Sequence, residues 1–362
     1  MKKLLSLLIA CILILSLAAC GDGNQPPAPG GNSPAPTGGS AAPAGGQSTA
    51  SGEADEEFVF SFASSMGAGS DFNVMVEEPF KQLIEEKSGG KWTVEIYSGG
   101  SLAAQGAAMN AVANGTADMG YDMTAIYAGT YPYNELIDIP GWVIPGSKTG
   151  SELLAEYDEQ FAGNELNAFK VLAHYSTGNL GISSSKPIRS MADMSGVQLR
   201  ASGMQIDWVG NLGGVGVAMP VTEVYESIKL NTIGGAILAP YAVTAFKLGE
   251  VAPYFTELPM ISGFNVIVMN KELYEGMTDH DKAILDSVVE ELAPIAAAYG
   301  DNCTAKAKEE LAGRVEFIEL SDEEIDAFAA KGMPIIEAKA EALDAAGLNG
   351  TAAYEWLLEK LN

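Results

Sequence analysis

Between residues 57 and 124 the apolar pattern keeps changing period, and that alternation restricts the possible folds more than any other feature of the chain. "EFVFSFASS" alternates with period two, and "DFNVMVEEPFKQLIEEKSG" then spaces its apolar residues as a helix does and stops at glycine. "KWTVEIYSGG" returns to a strand, "LAAQGAAMNAVANGTA" to an Ala-rich helix stopped by Asn114-Gly115, and "DMGYDMT" to a short strand. Strand, helix, strand, helix, strand predicts a parallel sheet with crossover helices, because a parallel neighbour can only be reached by a long connection. The turns after those strands, at Ser64-Ser65-Met66, Ser98-Gly99-Gly100 and Asp122-Met123-Thr124, should then gather on one rim.

A second series starts at "FKVLAHYSTGNLGISSSKPI". "MADMSGVQLRAS" reads as a turn and a strand, "MQIDWVGNLGG" as a helix, "VGVAMP" as a strand, "VTEVYESIKLN" as a helix and "TIGGAILAP" as a strand. "FNVIVMNKELYEGM" adds a strong strand. It precedes "TDHDKAILDSVVEELAPIAAAYGDNCTAKAKEEL", a helix of unusual length, and a helical, acidic remainder.

The first residues do not fit either series. Lys2, Lys3 and the apolar run Leu4 to Leu17 read as an export signal, too short to remain as a comfortable span. It closes on Leu17-Ala18-Ala19-Cys20, which resembles the lipobox of bacterial lipoproteins and implies cleavage before Cys20 and lipidation there. Residues 20–55 are rich in Gly, Pro, Ala and Ser, cannot bury a core, and read as a disordered tether. The body is thus expected from residue 56, with length enough for two lobes.

Composition removes several functions. A net charge of −27 opposes nucleic acid, whose phosphates need a basic surface. The body holds one cysteine, Cys303, and the chain two histidines, His174 and His280, which leaves little for a soft-ligand metal site or a Cys/His pair. No metal or cofactor is expected. Ser183-Ser184-Ser185-Lys186 and Lys148-Thr149-Gly150 match two marks of penicillin-recognising enzymes, but in reversed order and without the third element. The Gly-Gly pairs at 99, 213 and 234 form no phosphate-binding loop, and Glu77-Glu78 and Glu85-Glu86 are expected on the solvated face of a helix. No nucleophile, base and orienting group fall in a workable order, so an enzyme is not expected.

Arg200 is the residue that asks for an explanation. Arginine occurs three times, at 189, 200 and 314, and Arg200 ends a strand whose Val197 and Leu199 alternate as a half-buried strand does. A buried guanidinium needs an anion. Its planar fork suits a carboxylate, supplied either by an internal Asp or Glu or by a small ligand.

"PIRSMADMSGVQLRAS", "VAMPVTEVYESIKLNTIGGAILAP" and "VIVMNKELYEGMTDHDKAIL", in that order and spacing, resemble the solute-binding proteins of tripartite ATP-independent periplasmic (TRAP) transporters, the DctP type. The resemblance covers about residues 57 to 345. It implies an α/β, two-lobed periplasmic-binding-protein-like fold of type II character, each lobe a mixed sheet flanked by helices. A hinge joins the lobes and the long late helix crosses both. The implied division is 1–19 leader, 20–55 tether, 56–176 with 264–304 as lobe 1, 177–263 with 305–345 as lobe 2, and 346–362 as a C-terminal helix. The implied partners are a small organic acid anion, sodium-coupled permease subunits in the membrane, and the membrane itself through lipidated Cys20.

By the same resemblance the ligand carboxylate falls to Arg200. Asn270 either orients the ligand or caps "KELYEGM", and Ser65, with Ser64, and Asn73 come from the first loop. Tyr121, Met123 and Thr124 come from the third strand end, and Val221 and Leu238 from the second lobe. Sialic-acid-binding relatives carry polar groups where this chain has Leu180, Met123 and Leu238. Their loss implies a less hydroxylated cargo: an aliphatic or aromatic monocarboxylate or a 2-keto acid is favoured over a sugar acid, and a C4-dicarboxylate or sugar-acid binder is the alternative. Tyr121, Tyr127, Trp142 and Trp208 are either pocket walls or, more ordinarily, core. A ligand-sensing module for a membrane receptor is the alternative to a transport receptor.

Overall fold

The computed structural model describes residues 53–127 and 129–361. The leader 1–19, Cys20 and the tether as far as residue 52 lie outside the described residues. Contacts of the body begin ahead of the first strand: Ala54 N–H donates to Ser88 O, Lys91 Nζ donates to Ala54 O, and Thr278 Oγ1 donates to Asp55 Oδ2.

The first series folds as the alternation predicts. β1 (Phe58–Ala63), α1 (Glu78–Lys87), β2 (Trp92–Tyr97), α2 (Ala108–Ala113) and β3 (Met119–Met123) give three parallel strands in the order β2-β1-β3. Two details differ from the sequence pattern. α2 is shorter, because Gly106 takes a φ of 82° and donates its N–H to Asp122 Oδ2 at 2.8 Å, which holds residues 102–107 in a turn. The segment ahead of α1, Asn73–Glu77, is a turn of π-helix. Its wider ring rotates the following side chains, and Glu77, expected on the solvated face, is buried at 1 % exposure.

The stretch 125–168, which carried no clear period, holds α3 (Pro132–Ile137) and α4 (Gly146–Tyr157). β4 (Phe169–Ser184) then runs for 16 residues, followed by β5 (Gln198–Arg200), α5 (Gln205–Asn211), β6 (Val215–Val217), α6 (Val224–Lys229), β7 (Gly235–Leu238) and α7 (Pro240–Ala245). β8 (Tyr254–Asn270) is 17 residues long and starts ten residues before the apolar run "FNVIVMN", carrying Pro259 within it. α8 (Lys271–Gly276), α9 (Asp279–Leu311), β9 (Glu316–Ile318), α10 (Asp322–Ala329), α11 (Met333–Ala345) and α12 (Gly350–Leu361) complete the chain. Thr278 and Ser321 cap α9 and α10 by accepting from the N–H groups of Asp281 and Glu324.

Among the described residues the nine strands form one curled sheet, ordered β2-β1-β3-β8-β4-β7-β5-β6, with β9 beside β8. β4 and β8 serve both lobes. The C-terminal part of β8 pairs with β3 and the start of β4, while the end of β4 pairs with β7 and the start of β8. Between those parts the β4–β8 ladder shifts register, between Ser176 and Asn179 and again between Asn179 and Leu180. Gly178 sits there with a φ of 78°. α9 passes directly over this crossing, so closely that a Cβ on Gly300 would lie 2.3 Å from the carbonyl carbon of Thr177.

The packing divides in the same way. Phe60, Phe62, Phe72, Trp92, Tyr121 and Tyr175 bury one core together with α9. Leu199, Trp208, Ile237, Leu258 and Phe328 form another on the far side. α11 and α12 pack on α3 and α4 through Trp142, Tyr157, Ile336 and Leu357. The ordinary reading of the two tryptophans therefore holds: Trp142 Nε1 donates to Leu136 O and Trp208 Nε1 to Phe328 O, both inside packed cores.

Candidate functional site

The C-terminal ends of the parallel strands converge on the crossing from two sides. β3 ends at Met123, which pairs with Asn265, and Asn265 in turn pairs with Tyr175. β7 ends at Leu238, which pairs with Gly181. Only residues 176–180 of β4 separate the two strand ends, so the rim of one lobe faces the rim of the other across the hinge ribbon. Ser64 and Ser65 follow β1 on the first rim, and Arg200 closes β5 on the second.

Arg200 is half-buried and its guanidinium has no carboxylate partner. Nε donates to Met219 O and Nη1 donates to Ile237 O, each at 3.2 Å. It makes no ion pair among the described residues, whereas Arg189 pairs with Glu316. Burial lowers the Arg200 pKa, and no neighbouring acid opposes that shift. The internal salt bridge is thus absent. Two carbonyls orient the fork and leave part of it free for an anion.

On the first rim Ser65 Oγ and Tyr121 Oη share a hydrogen bond of 2.8 Å. Asn73 is buried in the π-turn, where its Oδ1 accepts from Gly69 N–H and its Nδ2 donates to Glu77 Oε2 at 3.0 Å. Burial raises the Glu77 carboxyl above its usual range, against hydrogen bonds from Ser64 and Asn73, and its Oε1 has no partner. Tyr121 packs against Phe72 at 4.3 Å between ring centroids and lies 6.3 Å from Tyr175, and burial pushes its hydroxyl pKa upward. Ser65 and Tyr121 are therefore brought together as a bonded pair, while the Asn73 amide is spent on Gly69 and Glu77.

The other expected residues separate into two kinds. Met123 is half-buried at the end of β3 and Leu238 is buried at the end of β7, while Val221 lies two residues past Met219, whose carbonyl holds Arg200. Thr124 is buried and donates to Asn134 Oδ1 at 3.2 Å. Asn270 is engaged at both ends of its amide: Oδ1 accepts from Leu273 N–H at 2.9 Å and Nδ2 donates to Val112 O at 2.8 Å. That is the helix-capping alternative for Asn270. Tyr127 donates to Asp122 Oδ2 at 2.7 Å and lies inside the core around α2.

Three neighbours were not anticipated. Tyr241, three residues past Leu238, packs against the cores of both lobes. Glu77 was hidden by the π-turn. Asn265 interrupts the apolar run "FNVIVMN", and that interruption was the available signal. A cavity of about 320 Å³ lies beside the ribbon, lined by Asn179, Leu180, Asp301 and Thr304 among others, and does not include Arg200. No His/Cys/Asp/Glu group among the described residues could hold a metal ion, and no helix among them is long and apolar enough to cross a membrane.

Residues 62–342 match the family described as bacterial extracellular solute-binding protein, family 7. The 2,3-diketo-L-gulonate-binding periplasmic protein YiaO of Escherichia coli is 24 % identical over 247 residues, 67 % of this chain and 74 % of that protein. Among solved structures, a TRAP periplasmic solute-binding protein from Desulfovibrio salexigens superposes with a TM-score of 0.74 at 25 % identity, covering 84 % of this chain and 95 % of that one. A marine-metagenome TRAP solute-binding protein specific for aromatic acids, in complex with metahydroxyphenylacetate, gives 0.75 at 24 % identity, covering 84 % and 98 %.

Proposed function

The chain belongs to the DctP family of TRAP-transporter solute-binding proteins, a family of receptors and not of enzymes, and from that premise we propose that its cargo is a small, sparsely hydroxylated carboxylate held by Arg200. The observation that carries this is the Arg200 guanidinium, oriented by two carbonyls, half-buried and without an acid of its own. A cation so placed in a chain of net charge −27 favours an anion only at short range and in the right geometry, which a forked carboxylate supplies. Met123 and Leu238 offer apolar surface at the two strand ends, while Leu180 lines the separate cavity beside the ribbon, so each extra hydroxyl on a ligand would enter unpaired. An aliphatic or aromatic monocarboxylate or a 2-keto acid fits best, in keeping with the aromatic-acid receptor of similar fold.

The lobes are taken as 56–176 with 264–304 and 177–263 with 305–345, hinged where the β4–β8 ladder shifts register. Closure brings the Ser65–Tyr121 wall onto the acid held by Arg200, and the closed receptor delivers it to a sodium-coupled permease. Cys20, lipidated after export, tethers the body to the membrane through residues 21–55. The reading is tested by denaturing the purified protein and identifying the small molecules released by mass spectrometry. A monocarboxylate with few hydroxyls is expected. A polyhydroxylated sugar acid would overturn the cargo class, and a ligand without a carboxylate would overturn the role of Arg200.

A further inference from the structure

Asn265 is 3 % exposed, and its Nδ2 is buried without a hydrogen-bond partner. Leaving an amide N–H₂ unpaired in the interior costs about 1–3 kcal/mol, a cost that a leucine of similar size at the same place would avoid. The neighbouring polar groups are already engaged: Ser262 Oγ donates to Asn179 Oδ1 at 3.2 Å, and Thr177 Oγ1 donates to Gly263 O at 3.4 Å.

The register gives the direction of the side chain. Directly opposed residues of neighbouring strands project to the same face, so Asn265 shares a face with its partners Met123 and Tyr175. Tyr121, two residues before Met123, lies on that face as well and sits in the same core as Tyr175. Gly263, two residues before Asn265 and again on that face, has no side chain, and a Cβ there would stand 2.6 Å from Thr177 Oγ1 and 3.9 Å from Met123 Cε. Thr177 Oγ1 occupies the space that a side chain at 263 would take, and the Asn265 amide lies next to it on the first-lobe side, level with Met123 at the end of β3. Arg200 ends β5 in the second lobe, held by Met219 O and Ile237 O.

We propose that Asn265 is a second polar anchor for the bound acid, donating from Nδ2 to one uncharged oxygen of the cargo, a ketone or comparable acceptor, at a distance from its carboxylate. This rests on the carboxylate role of Arg200 and narrows the cargo to acids with such an acceptor. It also explains how a pocket with apolar Met123 and Leu238 distinguishes its ligand from a plain fatty acid.

The test is calorimetric titration of the full chain, exhaustively dialysed, with two matched sets of probes. One set is hexanoate with 2-, 4- and 5-oxohexanoate, and the other is 3-phenylpropanoate with phenylpyruvate. In the parent protein at least one oxo acid should bind about tenfold more tightly than its match, the worth of one well-made hydrogen bond. Asn265→Leu should erase that preference and leave the affinity for the matching plain acid within about threefold. Asn265→Asp, which keeps the shape and cannot donate when ionised, should erase it too and serves if the leucine variant does not fold. A preference that survives both substitutions overturns the proposal, as does a parent protein that favours no oxo acid or binds none of the probes. Arg200→Ala separates the two readings: binding of every acid untouched by that change refutes the carboxylate role, whether or not Asn265 sets the oxo preference.

Discussion

Replacing Arg200 by alanine should weaken carboxylate binding strongly and leave the fold almost untouched, and both halves of that expectation come from the geometry. The guanidinium is half-buried, so a carboxylate on it is only partly screened. Removing one partner of a desolvated, hydrogen-bonded charge pair costs about 2–5 kcal/mol, and partial exposure places this site near 2–3 kcal/mol, or roughly 30–150-fold in Kd. The unliganded protein loses two bonds to Met219 O and Ile237 O but also sheds an unpaired, desolvated cation. Those effects oppose each other, and the stability change should stay within about 1 kcal/mol, a shift of a few degrees in Tm. Arg200→Lys keeps the charge and loses the fork, so it should fall between, about tenfold weaker than the parent. Titration with the released acid and thermal unfolding on the same samples give both numbers. An unchanged Kd refutes the assignment. A variant that unfolds would show instead that Arg200 holds the lobe together, as an internal ion pair would.

Three further expectations concern the frame around the site. Asp138 Oδ1 is buried without a partner even though part of the residue reaches the surface, and burial pushes its carboxyl up to about 7, against a hydrogen bond from the Phe264 backbone. A raised acid stabilises the fold below its unfolded pKa and loses that contribution as pH climbs to about 7, so Asp138→Asn should gain roughly 1–3 kcal/mol at pH 8 and much less at pH 4, by denaturant titration at both values. Asn270→Ala removes a cap and a bond to Val112 O, and should lower stability by about 1–2 kcal/mol with the Kd unchanged; a large loss of affinity would restore Asn270 to the ligand. Gly300→Ala would place its Cβ 2.4 Å from Gly178 N, so α9 must lift from the ribbon. The variant should melt several degrees lower, and an unaltered Tm would mean that α9 does not bear on the hinge.

The sequence showed the parts whose pattern is local. The parallel β2-β1-β3 unit followed from alternating periods, and Arg200 stood out because an arginine at a strand end in this acidic chain needs an anion. It hid what depends on distant neighbours. No local pattern says that β8 begins ten residues before "FNVIVMN", at Tyr254, since a strand through Pro259 is permitted only by the partners on either side. The π-turn at Asn73–Glu77 concealed the burial of Glu77, because the helical wheel of an ordinary helix points that carboxyl to solvent. The two possible roles of Asn270 were equally legible from composition, and only the contacts of its amide separate them. Asn265 was visible as an odd letter in an apolar run, but its meaning needed the register with Met123 and Tyr175.

The two long strands carry a consequence for how the chain must be made. β1, β2 and β3 are complete by residue 123, yet the open side of β3 is covered only by β8, whose pairing residues are 265–269. Until that late segment exists, the first third of the protein presents a bare sheet edge, and the loop that must close to cover it is more than a hundred residues long. An early, independent fold is therefore disfavoured. For a chain that passes through a membrane channel before it folds, such delay keeps the leading end threadable until nearly all of the rest has been synthesised, and makes the arrival of β8 the event that commits both lobes at once.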